Sequence, residues 1–239
     1  MDTTIYASHA ASKKKVRSSA SAAINRKVNK LVVAKWIVAI GLVVAFTVLT
    51  EVLKKPDLAL FFGLGVGLIA LFHKGFSIRQ YGKSFISSWT FWAWTAVSVA
   101  LLYGAEQLKN YLLWNVFVGN KPEIISLYWK ENYFGVAFYA ITMILVLPLA
   151  ENLFLRKGLL ATNNKALLVV LTIASLAIRG LFYAHGLTGI VSYALVAVPL
   201  TVVFLITKNM YITLTAQIVM SAYVVIPDIV YYIARLMLR

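Results

Sequence analysis

Two residues stand where an ionisable side chain is costly, and together they could activate water. The chain has eight acidic residues and three histidines. Asp2, Glu51, Asp57, Glu106, Glu123 and Glu131 fall in a tail, in loops or at the ends of apolar runs. Glu151 and Asp228 remain, and Glu151 follows directly on the apolar run from Tyr139 to Ala150. His185, Arg156 and Arg179 occupy comparable places. Charged groups at membrane depth are expensive and are usually kept for a function. Glu151 and Arg156 are five residues apart, which takes them off a common α-helical stripe. Asn152 and Arg156 share a face, as do Gln217 and Ser221, at a spacing of four. The plainer reading makes Gln217 and Ser221 helix-packing glue and Glu151 and His185 a satisfied buried pair.

Other chemistries are excluded by what is missing. A catalytic zinc needs three protein ligands; Glu151 and His185 supply two, and no His-Glu-x-x-His is present, so neither metal nor cofactor is expected. There is no cysteine, hence no thiol nucleophile or thiolate site. Ser192 lies in no Gly-x-Ser-x-Gly elbow. Asp228 lacks the Gly-x-Gly-Asp setting of the intramembrane aspartyl proteases. A glutamate and a histidine able to polarise water are left.

The elements that must position them are membrane helices. Of the 239 residues, 61% are hydrophobic and 13% charged, and the mean hydropathy is +0.82. Soluble domains are about half apolar, whereas a spanning helix needs about 20 mostly apolar residues. The reading is an all-α, polytopic transmembrane bundle of about eight spans, comprising a basic cytoplasmic tail over residues 1–30 and a helical domain over 31–239. The expected spans are 31–53, 58–72, 85–103, 133–160, 166–185, 186–206 and 210–225, with a last helix after a kink at Pro227. Lys54, Lys55, Pro56 and Asp57 form the first turn; Lys74, Arg79 and Lys83 mark a basic loop; 106–133 is an outer loop with a short interfacial helix. Trp89, Trp92 and Trp94 fall where an aromatic belt belongs. The first run lacks an Ala-x-Ala-like cleavage site in the usual place and reads as a retained span.

The net charge of +15 does not indicate nucleic acid. Lys13, Lys14, Lys15, Arg17, Arg26, Lys27, Lys30 and Lys35 precede or open the first apolar run, where basic residues hold the chain end in the cytoplasm and attract anionic lipid. No base-stacking module accompanies them.

The segment Ala150–Gly158, Ala-Glu-Asn-Leu-Phe-Leu-Arg-Lys-Gly, resembles the Glu-Glu-x-x-x-Arg motif of the CAAX protease and bacteriocin-processing (CPBP, or Abi) family. Leu181–His185 resembles its Phe-x-x-x-His motif, with Leu for Phe. Gln217 and Ser221 take the places of the residues in its His-x-x-x-Asn motif. The likeness covers about residues 133–225, with all three motifs in order. It implies Glu151 and His185 as the catalytic, water-activating pair, Gln217 and Ser221 as oxyanion or substrate donors, and Asn152, Arg156 and Arg179 as structural or orienting residues. Asn152 replaces the second glutamate, and Arg179 could pair with Glu151 and block it. The activity so implied is a metal-independent intramembrane endopeptidase, acting on a peptide or the terminus of a membrane-associated protein in a bacterial plasma membrane: peptide maturation, self-immunity or CAAX-like processing. The alternative, which the altered second and third motifs favour, is a catalytically inactive immunity or scaffold protein with the same fold. A small transporter using Glu151 and Arg179 as a buried relay is the third reading. For Glu151 and His185 to share a water, span four must run well past Arg156 or span five must be offset.

Overall fold

A computed structural model describes residues 32–53, 57–116, 123–125, 127, 129–162 and 164–238. The basic tail, the turn residues Lys54, Lys55 and Pro56, part of the 106–133 loop, Asn163 and Arg239 lie outside the described residues. The chain divides into two compact units, 1–40 and 41–239. The first contributes the opening of helix α1, Val32–Leu53, and the second holds everything below.

The architecture is all-helical. After α1 come α2 (Leu58–Phe72), α3 (Ile78–Ser87) and α4 (Trp89–Tyr111). There follow α5 (Tyr133–Leu159), α6 (Lys165–Leu181), α7 (Gly186–Thr207) and α8 (Met210–Met237). Polar residues start the helices by accepting from orphan N–H groups: Asp57 before α2, Ser77 before α3, Ser88 before α4, Asn132 before α5, Asn164 before α6 and Asn209 before α8. A two-residue antiparallel ladder joins β1 (Glu123–Ile124) to β2 (Ala184–His185), with Glu123 opposite His185.

The core runs between the helices in clusters. Phe91, Leu153, Leu160, Val203, Phe204, Met210 and Tyr211 pack at the end where α5 and α7 finish and α4 and α8 begin. Leu58, Tyr139 and Val225 pack towards the opposite end. Outside this core the surface is apolar: Val169, Val170 and Ile173 of α6 are more than 60% exposed, which water would not tolerate as a continuous face and lipid accepts.

Several expectations need correction. Among the described residues, five helices are long and apolar enough to cross a membrane, or six if the bent pair α3–α4 counts as one span. The expected eighth helix is the second half of α8, which runs unbroken through Pro227; neighbouring helices and local adjustment let a membrane helix keep an internal proline. The basic loop over 74–83 is largely helix α3, amphipathic, with Tyr81 half-buried and Ile78 and Ile86 about four-fifths exposed. The chain turns sharply between α3 and α4, held by the Trp92 indole donating to Phe85 O at 3.0 Å. Residues 106–116 extend α4 and a following π turn, so no separate interfacial helix is present among the described residues. Span five ends at Leu181, so His185 is not inside it; a turn and the β2 ladder carry His185 to the start of α7, where Gly186 has φ +73°.

Candidate functional site

The Glu151 stretch lies where α5 changes its winding. α5 is α-helical over Tyr133–Ile141, π-wound over Thr142–Val146, α-helical over Leu147–Glu151 and π-wound again over Asn152–Leu159. A π turn closes i to i+5 rather than i to i+4 and recurs at functional sites. The wider turn brings residues five apart onto one face, so Glu151 and Arg156 are aligned, contrary to the expectation for a plain α-helix.

Both side chains converge on Gln217 of α8. The Gln217 Nε2 amide donates to Glu151 Oε2 at 2.5 Å. Gln217 Oε1 accepts from Asn152 Nδ2 at 2.8 Å and from Arg156 Nη1 at 3.1 Å. This orientation is chemically forced, because a guanidinium only donates and an ionised carboxylate only accepts. Asn152 Nδ2 also donates to Pro148 O at 2.7 Å, and Asn152 Oδ1 accepts from Thr213 Oγ1 at 2.7 Å. Glu151 and Asn152 are fully buried and Arg156 is 2% exposed.

From α6 and the turn that follows it come the remaining partners of Glu151. The Arg179 guanidinium is ion-paired with Glu151 Oε2. The Tyr183 hydroxyl donates to Glu151 Oε1 at 2.6 Å and accepts from Arg179 Nη1 at 3.3 Å; the guanidinium also lies 4.6 Å from the Tyr183 ring centre. Both carboxylate oxygens are thereby occupied, one by an O–H and one by a guanidinium and an amide. Burying a carboxylate is tolerable only with such pairing.

Beside this network lies a cavity of about 200 Å³, reached by Glu106, Arg179, Tyr183, Tyr193, Gln217 and Ser221. Ser221 is half-buried there and stands apart from the Glu151 network. Tyr183 stacks on Tyr193 at 5.3 Å, and the Lys109 ammonium lies 4.7 Å from the Tyr193 ring centre. Lys109 is in turn ion-paired with Glu106.

Of the residues singled out in the sequence, Glu151, Asn152, Arg156, Arg179 and Gln217 therefore meet. His185 does not join them: no hydrogen bond or ion pair links it to Glu151, and its buried Nε2 has no hydrogen-bond partner among the described residues. Two members of the network escaped sequence reasoning, Tyr183 and Thr213. The available signal was spacing, since Tyr183 follows Arg179 by four and Thr213 precedes Gln217 by four. Among the described residues no group of three His, Cys, Asp or Glu side chains is placed to hold a metal ion.

The fold and the site together define an integral membrane helical bundle with a buried ion-pair network at its centre. No protein-family model matches the chain, and no curated protein or solved structure is similar enough to it to count as a match.

Proposed function

We propose that this chain is a non-catalytic membrane protein on the CPBP plan, acting by binding, as an immunity factor or scaffold, rather than by hydrolysis. One observation carries the reading: every oxygen of Glu151 is committed inside the protein, Oε2 to Arg179 and Gln217 and Oε1 to Tyr183. A general base needs a lone pair within hydrogen-bond reach of the water it deprotonates. Three of the roughly four lone-pair sites on the Glu151 carboxylate are taken, the carboxylate is fully buried and does not line the cavity beside it, and His185 contributes no bond to it. The Gln217 amide, expected to face an oxyanion, faces the carboxylate instead; an oxyanion hole requires donors aimed at the reacting oxygen.

The topology that accompanies this reading has seven crossings. α6 has 17 residues, about 26 Å at 1.5 Å per residue, and slight thinning of the bilayer accommodates it. Lys74, Arg79, Lys83, Lys157, Lys165 and Lys208 gather at helix ends on one side, which the preference for basic cytoplasmic loops assigns to the cytoplasm together with the N-terminal tail. The C-terminus then lies outside, with Arg235 paired to Glu131 at 3.1 Å. A bacterial plasma membrane fits this pattern.

A second reading, the intramembrane endopeptidase, is favoured by the cavity of about 200 Å³ beside Gln217 and Ser221. It requires Arg179 to leave Glu151 so that water can enter. Incubating purified protein with candidate peptides separates the two. The non-catalytic reading predicts no cleavage by wild type, and equal protection of producing cells by wild type and His185→Ala. Peptide cleavage by wild type that disappears in His185→Ala would establish the protease.

A further inference from the structure

Where α5 and α7 end, three lysines surround one cavity. It holds about 700 Å³ and is lined by Gln80, Lys83 and Ser84 of α3, Lys157 of α5, and Lys208 and Tyr211 at the α7–α8 turn. A second cavity, of about 450 Å³, shares Lys83, Ser84 and Asn209 with the first and continues over Phe91, Trp94 and Ile212. No acid is among the described residues lining either space. Three ammonium groups around a common space whose described lining holds no carboxylate create a field that concentrates anions.

The surroundings are built and specific. The Tyr211 hydroxyl donates to Gln80 Oε1 at 3.2 Å and accepts from the Ser77 N–H at 3.2 Å, fastening α3 to the start of α8. Tyr81 and Thr215 hydroxyls bond at 3.0 Å beneath it. Lys157 Nζ donates to Gly75 O at 2.5 Å, which anchors the ammonium and leaves two of its three donors. Lys208 is held at φ 51°, the left-handed conformation that a helix end ordinarily gives to glycine or asparagine. A lysine kept at a strained position beside two others is a reason to look for a ligand. Ile86 and Trp89, each 86% exposed, place α3 and the start of α4 at a membrane surface.

We propose that the joined cavities bind a phosphate-bearing anion at the membrane surface, its phosphate among Lys83, Lys157 and Lys208. The second cavity adds Phe91, Trp94, Ile206 and Ile212 to its polar lining, a mixed wall that suits an amphiphile, so an anionic phospholipid is the favoured source over a soluble phosphate. This site is separate from the Glu151 network and independent of whether that network hydrolyses anything.

The test uses full-length protein taken from vesicles of equal phosphatidylglycerol and phosphatidylcholine, with retained lipid counted by native mass spectrometry. Wild type is expected to retain the anionic lipid about tenfold over the neutral one or more, since each basic residue near a surface adds measurably to anionic-lipid attraction. The variant Lys83→Gln/Lys157→Gln/Lys208→Gln loses that preference, whereas Lys13→Gln/Lys14→Gln/Lys15→Gln in the tail keeps it. If the triple cavity variant does not fold, Lys208→Gly serves, because glycine relieves the left-handed backbone; a severalfold drop is expected. In phosphatidylcholine nanodiscs, inorganic phosphate that raises the melting temperature of wild type but not of the cavity variant assigns the site to a soluble phosphate. Unchanged lipid preference and unchanged phosphate response in the cavity variant, or a preference lost only with the tail, overturns the proposal.

Discussion

The Glu151 carboxylate is held by three side chains, Arg179 of α6, Tyr183 of the turn after it and Gln217 of α8, and Gln217 links it on to Arg156. Each contact removes a reason for instability that the others alone would leave. Removing a single neutral hydrogen bond costs about 1 kcal/mol, and Thr213→Val should lower the unfolding free energy by about that much, as read by chemical denaturation in detergent. Gln217→Leu strips partners from Glu151, Asn152 and Arg156 at once. It should cost about 3–5 kcal/mol, the range for leaving buried charge uncompensated. The participants Glu151, Asn152, Arg156, Arg179 and Gln217 were legible in the sequence because ionisable and amide groups are conspicuous within apolar runs. Tyr183 and Thr213 were not, because a tyrosine or threonine in a membrane helix is unremarkable on its own. Who pairs with whom was also hidden: His185 has the chemistry to partner Glu151, but helix α6 stops at Leu181 and the ladder to Glu123 takes His185 elsewhere.

At the scale of elements, α5 and α6 decide the site. The π winding of Asn152–Leu159 rotates Arg156 onto the face of Glu151, and no residue pattern announces a π turn. α6 delivers Arg179 because it packs closely on α7 through Gly180. A Cβ at Gly180 would come within 2.3 Å of the Ile190 carbonyl oxygen, a backbone atom with no rotamer to escape into. Gly180→Ala should therefore destabilise by about 1–3 kcal/mol, as overpacking does, and lower the melting temperature in detergent; an unchanged melting temperature would show that α6 and α7 are free to separate. The start of α2, α5 and α7, and α8 up to Pro227, match what hydropathy and turn residues indicate. The basic residues of α3 make it resemble a loop, although Ile78, Tyr81 and Phe85 recur at helical spacing on it. Pro227 suggests a division of α8 into two helices, because a proline ordinarily ends one in water; the helix continues through it, and a membrane weakens that rule.

For the whole molecule, acidic residues collect at one end, where Lys109 and Arg235 pair with two of them. The basic residues at 74, 79, 83, 157, 165 and 208 gather where α2, α5 and α7 finish, whereas Glu106, Glu123, Glu131 and Asp228 belong to the opposite end. Tyr139 donates to Asp228 at 3.3 Å there, and Arg235 pairs with Glu131. The absence of cysteine makes the orientation directly measurable. Lys165→Cys should react with a membrane-impermeant maleimide only after spheroplasts are permeabilised, and Glu131→Cys should react in intact ones. The reverse pattern would invert the topology. The bundle class was legible from composition alone; the number of crossings was not, because apolar length does not distinguish one long helix from two short ones.

The central claim is that Glu151 is the partner of Arg179 and not a free base, and a double-mutant cycle on unfolding stability tests it most directly. Glu151→Gln and Arg179→Met each remove one half of the buried pair and should each cost about 3–5 kcal/mol, while the double variant, which removes the pair and keeps only Arg156 charged in the network, should lose less than the sum of the two. A double variant whose loss equals the sum of the two single losses would mean that the groups do not interact, and would contradict the account.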